Sequence, residues 1–175
     1  VFSARAERAS EAEASADRFL EGAATRNVQL HQFRDGFFPS EHAKIKTYFE
    51  ELKARIDPDV VFTHCRQDLH QDHRVVNELA WNTFRDHAIL EYEIPKYDGD
   101  LGAPNVFVPL EARQVHRKAA LLVEHFGTQR DKHWFTDDLF LSLMRLRGME
   151  ARSPTGYAEG FTGRKLRLDF GEVTS

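Results

Sequence analysis

Two rhythms of apolar residues divide this chain. Hydrophobic side chains that return every three or four positions mark helices, and those that alternate or run together over four to six positions mark strands. From Arg5 to Ala24 a background of Ala, Glu, Arg and Ser carries Ala9, Ala12, Ala16, Phe19, Leu20 and Ala23 on one stripe, which predicts a surface helix with a narrow buried face. Val28–Phe33 reads as a short strand, closed by the turn Arg34-Asp35-Gly36. Ser40 is placed to cap a helix running to about Arg55, with Ile45, Phe49 and Leu52 inward. A buried strand follows over Val60–Thr63, and then a helix to about Asp86 carried by Val75, Val76, Leu79, Ala80 and Phe84. Ile89–Ile94 alternates as a strand does, and Pro95–Pro109, with three prolines, reads as irregular. Helices are expected over Leu110–Phe126 and Thr136–Arg147, the second stopped by Gly148, and short strands over Tyr157–Phe161 and Leu166–Phe170. Strands alternating with helices predict an α/β fold in one domain, residues 1–175, with a mostly parallel sheet and helices on both faces.

Composition narrows the function. A net charge of -4 with signs mixed along the chain gives no footprint for nucleic acid or an anionic membrane. No apolar run approaches the roughly 20 residues that span a bilayer. The single cysteine, Cys65, leaves no internal disulfide and fits a reducing compartment, so a cytoplasmic location is expected. Val1-Phe2-Ser3 looks like the end of a strand and feeds a helix at once, with neither an initiator Met nor the apolar core of a signal peptide. The expectation is that the chain starts inside a domain.

Candidate chemistry concentrates in Thr63–Arg74, which packs three histidines, two aspartates and two arginines into twelve residues between a strand and a helix. Ligands of open α/β sheets bind at the carboxyl ends of strands, where such a loop sits. His70 and His73 flank Asp72. One imidazole can face a metal while its neighbour stays a few ångströms away, and Asp72 can hold a histidine in one tautomer and favour its charged form. A polar loop of solvated histidines is the competing account of so short a motif. Cys65 could act as a nucleophile beside His64 or His70, against the plainer reading of a small half-buried residue. His125 ends a helix, where a cation suits the macrodipole, and His31, His42, His87, His116 and His133 read as structural or surface groups.

At His70-Gln71-Asp72-His73 the chain resembles the PIG-L/LmbE-like family of zinc-dependent N-deacetylases. Arg8-x-x-Glu11-Ala12, the Arg34-Asp35-Gly36 turn, Pro58–Phe62, His125–Gln129 and Tyr157–Phe161 are similar to further segments of that family. The resemblance implies a Rossmann-like fold and a metal-dependent hydrolase that removes the N-acetyl group of an amino sugar, on a glycan, glycolipid or sugar nucleotide. It makes His73 a ligand of one zinc ion and His70 the neighbouring acid or oxyanion donor. Asp72 becomes the group that orients and charges a histidine. Arg8 and Asp35 fall at positions used around the sugar, and Arg66 joins them as a substrate-binding candidate.

The chain departs from the pattern in one place. The family's other zinc ligands and general base lie in a His-Pro-Asp-Asp segment at the end of a first strand, and this sequence has none. The expectation is a chain lacking the first βα unit and inactive alone, one protein ligand being too few for a catalytic zinc. The alternative is a metal-free carbohydrate-binding or regulatory domain of the same fold. A nucleotide-binding enzyme fits poorly, because no Gly-x-Gly-x-x-Gly follows any strand. The sequence leaves homo-oligomer formation open.

Overall fold

Residues 1–4, 7–167 and 171 are described in the computed structural model, and they fall into two compact units. The first comprises Val1–Phe38 and Phe107–Gly160, the second Pro39–Val106 and the chain from Phe161.

In the first unit, helix α1 (Glu7–Phe19) and helix α5 (Asp137–Glu150) each pack against α4 (Ala112–His125). Helix α4 begins at a capping box: Glu111 and Gln114 satisfy each other's backbone N–H groups, which a helix start otherwise leaves unpaired. Val115, Ala119 and Leu121 of α4 with Phe140 and Met144 of α5 supply the buried apolar side chains, as their helical spacing requires. The expected stripe on α1 is narrower than read: Ser15 is its buried residue, and Phe19 and Leu20 lie exposed. Val28–Phe33 forms no strand. It touches the start of the chain at one antiparallel bridge, Ser3 with Gln32, beside bonds from Ala4 N–H to His31 O and from Phe33 N–H to Phe2 O.

Gly148 does not end α5. It is buried two residues before the helix finishes, because a Cβ there would lie 2.2 Å from the carbonyl oxygen of Gly156 and 2.5 Å from Tyr157 Cα. The helix can approach the following backbone only where there is no side chain.

The second unit carries a βαβ motif. Strand β1 (Val60–His64) leads through helix α3 (Gln71–Thr83) to strand β2 (Ala88–Tyr92), which pairs parallel to it from Val60 opposite Ala88 to His64 opposite Tyr92. Helix α2 (His42–Lys53) packs on α3, and Ile45, Phe49, Val75, Leu79, Ala80, Phe84 and Ile89 form the core. Ser40 does not take the cap of α2: it lies within a 3-10 turn, Phe38–Glu41, and Glu41 takes the cap position without a side-chain capping bond.

Two more strands, β3 (Val106–Pro109) and β4 (Ala158–Thr162), complete a hydrogen-bonded order β1-β2-β4-β3. Glu91 and Tyr92 pair antiparallel with Thr162 and Phe161. Along β3, Asn105 N–H bonds to Phe161 O and Leu110 N–H to Tyr157 O, which sets that strand antiparallel to β4 as well. The α/β class therefore holds, with a correction: β1–β2 is the parallel pair and the rest of the sheet is antiparallel. A parallel neighbour needs a long crossover, which α3 supplies between β1 and β2. The chain from β2 to β3 contains no helix, and its expected irregular stretch ends as a strand. Strand β1 is also less buried than its apolar run suggested. It lies at the end of the strand order, and Phe62 is 57% exposed. The strand expected over 166–170 falls mostly outside the described residues, and Leu166 and Arg167 have no regular structure.

Candidate active site

The end of β1, the loop after it and the first turn of α3 bring together the three histidines of the cluster. Their rings stack in a row: His64 on His73 with centroids 4.1 Å apart, and His70 on His73 at 4.5 Å. His70 is the N-cap of α3, which explains why this loop ends where it does. Its Nδ1 accepts the N–H of Asp72 at 3.3 Å, one of the donors a helix start leaves unpaired. The neutral His70 ring therefore carries its proton on Nε2, as a donor.

The carboxylate on the His73 ring is Asp68, a residue the sequence placed in the cluster without a role. Asp68 Oδ2 lies 2.9 Å from His73 Nδ1 and 3.2 Å from Lys96 Nζ, while Oδ1 accepts the backbone N–H of His70 at 2.8 Å. Burial alone would raise the Asp68 carboxyl; the bonds from His73 and His70, the charge on a protonated His73 and the bond from Lys96 outweigh it and pull the group down to about 2. An ionised Asp68 accepts the Nδ1 proton of His73, so the neutral form of that ring has its lone pair at Nε2. One ring thus offers a donor at Nε2 and its neighbour an acceptor.

His64 is the ring at the other end of the row. Its Nε2 lies 3.4 Å from the Tyr92 hydroxyl, and its buried Nδ1 has no hydrogen-bond partner among the described residues. Burial, then the neighbouring His73, push its pKa down to about 3, so His64 is a neutral ring at ordinary pH. Lys96 and Asp100 come from the proline-rich loop that follows β2. Asp100 binds Lys96 Nζ and accepts Leu69 N–H at 2.7 Å, tying that loop to the cluster. No pattern in the sequence paired them with the histidines. Their approach depends on β1 and β2 lying side by side.

Asp72 is buried in the first turn of α3. Arg66 stands apart from the ring row. It lines a cleft along α3, and its backbone N–H bonds Glu91 Oε2 at 3.2 Å. Arg8 and Asp35 meet each other in the first unit, Arg8 Nη1 to Asp35 Oδ2 at 3.0 Å, with both side chains exposed. In the same unit Glu11 accepts the N–H and hydroxyl of Thr128, both at 2.7 Å, joining two segments whose sequences drew attention. Cys65 is half-buried, and burial and then Glu91 raise its thiol to about 11, which argues against a nucleophile.

For a zinc ion, the residues described fit one coordination position. A histidine whose Nδ1–H is held by a buried carboxylate, with Nε2 open, has the usual form of a zinc ligand. His64 does not supply a second: two ligands of a tetrahedral ion radiate from it, whereas these rings lie face to face, 17° apart. Among the described residues no group of three His, Cys, Asp or Glu side chains is placed to hold a metal.

The family model for PIG-L, GlcNAc-PI de-N-acetylase, matches residues 3–84. Residues 3–84 are a PIG-L-family segment. The resemblance read from the sequence is borne out, and all six predicted site residues lie inside the PIG-L segment, whereas Glu91, Lys96 and Asp100 lie beyond it. By sequence, no curated protein matches the chain. Solved structures share its fold. A deacetylase triple mutant of the teicoplanin biosynthetic pathway aligns with a TM-score of 0.68 and 16% identity, over 94% of this chain and 72% of that one. Dbv21, the deacetylase of the A40926 pseudoaglycone, aligns at 0.59 and 22%, over 92% and 72%. GalB, the 4-carboxy-2-hydroxymuconate hydratase of Pseudomonas putida KT2440, aligns at 0.58 and 16%, over 95% and 74%. At these identities the likeness is one of fold, and a fold that carries both a deacetylase and a hydratase does not fix the reaction.

Proposed function

We propose that this chain belongs to a zinc-dependent N-deacetylase that releases acetate from an N-acetylated amino sugar. The observation that carries the reading is the paired tautomers of His70 and His73, set by Asp72 N–H and Asp68 within a PIG-L segment. His73 would hold the metal, which when bound supplies Lewis-acid polarisation of the amide carbonyl and a water acidic enough to attack it. Two further ligands must complete that site. His70 donates from Nε2 to the tetrahedral oxygen or, once protonated, to the departing amine. Asp68 is a positioning residue that holds His73 in one tautomer, and Asp72 is assigned to the charge of the His70 ring. Arg8, Asp35 and Arg66 are assigned to the substrate's hydroxyls or an appended anionic group.

Acetate release from N-acetyl sugars, sugar nucleotides and acetylated peptides, with zinc supplied and then chelated, tests this. His73→Ala should lose bound zinc, and His70→Ala should keep it while turnover falls roughly 100- to 1000-fold. Equal zinc loss in both variants would refute the division of roles, and activity on peptides alone would refute the sugar. The incomplete ligand set favours a second reading, a metal-free sugar-binding domain. Sugar binding that survives His73→Ala and chelation, without acetate release, would establish it instead.

A further inference from the structure

The second unit contains a cleft of about 420 Å³ along α3, lined by Arg66, Arg74, Asn77, Glu78, Trp81, Asn82 and Arg164. None of the three stacked histidines lines it. Behind the lining side chains lies Glu91, fully buried on β2 and bonded to three of them. Glu91 Oε1 accepts from Asn77 Nδ2 at 2.9 Å, Trp81 Nε1 at 2.6 Å and Arg164 Nε at 2.7 Å. One buried carboxylate thereby fixes three lining side chains and is itself neutralised by Arg164. The Arg164 guanidinium also lies over the Trp81 ring, 4.0 Å from its centre.

The remaining charge is unbalanced. Arg66 makes no side-chain bond or ion pair among the described residues, and Arg74 uses one nitrogen, Nη1, on the carbonyls of Asp68 and Leu69. Arg66, Arg74 and Arg164 border one space, and Glu78 is the one acidic side chain that lines it. Like charges held together repel unless an anion lies between them. Arginine forks match the oxygens of a phosphoryl group two at a time, and the cleft is of the size that holds a small ligand. Glu78 and the side-chain amide of Asn82, which have no partner among the described residues, suit hydroxyl groups on the rest of such a molecule.

We infer that the α3 cleft is a binding site for a phosphoryl group, borne by a small phosphate ester or by phosphate itself. The site uses none of the histidines and shares Arg66 with the deacetylation reading, which assigns that residue to an anionic group of the substrate, so phosphate binding without acetate release would uphold the cleft while refuting that reading.

Calorimetric titration of the 175-residue chain with inorganic phosphate, glucose 6-phosphate and acetate tests it. One equivalent of a phosphoryl ligand should bind, and Arg66→Gln should weaken it about 10-fold, with the double variant Arg66→Gln, Arg74→Gln weaker still. Arg66 supports no other side chain, so Arg66→Gln should unfold at the same temperature as the parent. Arg113→Gln, an exposed arginine on α4, should bind as the parent does. Tighter binding of the sugar ester than of phosphate identifies the ester as the ligand, and equal binding identifies phosphate. No binding up to about 10 mM phosphate, acetate binding as tightly as phosphate, or affinity unchanged by Arg66→Gln would overturn the assignment.

Discussion

Replacing Asp68 by Asn keeps the side chain's size and removes the charge on which the histidine row is built. The magnitude follows from the carboxyl's environment. Asp68 is 3% exposed and its pKa falls from 3.8 to about 2 in the folded chain. At about 1.4 kcal/mol per tenfold change in proton affinity, ionised Asp68 contributes about 2.5 kcal/mol to stability at neutral pH. The sign is that of a depressed carboxyl. The contribution is complete above 3.8 and is lost as pH falls through 2, because the unfolded chain takes up the proton first. Asp68→Asn should therefore cost about 2.5 kcal/mol at pH 7 and roughly half as much at pH 3, where the parent has begun to lose the same term. Urea unfolding at both pH values reads this directly as a shift in midpoint at constant slope. The variant also frees the His73 ring to take either tautomer, so zinc affinity should fall by about 10- to 100-fold in an assembled site. A destabilisation that is equal at pH 7 and pH 3 would refute the electrostatic account and leave only packing.

Three further outcomes are expected. Gly148→Ala gains about 1 kcal/mol of helix propensity, yet its Cβ would meet the backbone of Gly156 and Tyr157 at 2.2–2.5 Å, so the net effect should be a loss of roughly 2 kcal/mol or more; a stabilised variant in a thermal melt would disprove the close approach. Cys65, raised from 9.0 to about 11, should alkylate about 100-fold more slowly than an exposed thiol at pH 8 and at the ordinary rate once unfolded, as followed by mass spectrometry with iodoacetamide. His64, depressed from 6.5 to about 3, binds its proton in the unfolded chain first, so stability should fall as pH drops from 6.5 toward 3; His64→Gln should flatten that decline, and an unchanged pH dependence would show that the ring is not held neutral.

The sequence by itself determined the helices, the β1–α3–β2 unit and the location of the chemistry, because each is written in local terms. Helical spacing of Val75, Leu79 and Ala80 needs no partner to be legible, and ionisable residues crowded between a strand and a helix stand out wherever the chain goes. Tertiary structure decided the rest. Gly148 looks like a helix stop until the backbone of Gly156 is seen against it. Glu91 looks like one more polar residue in an alternating strand until β2 is placed with that position inward, where Asn77, Trp81 and Arg164 converge on it. The strand directions were hidden for the same reason, since a run of apolar residues fixes that a strand forms but not which neighbour it finds. Asp68 was visible in the cluster, but its hold on His73 was not. Which of two nearby aspartates reaches a histidine ring depends on a turn of helix and on Lys96, twenty-eight residues away along the chain and 3.2 Å away in space.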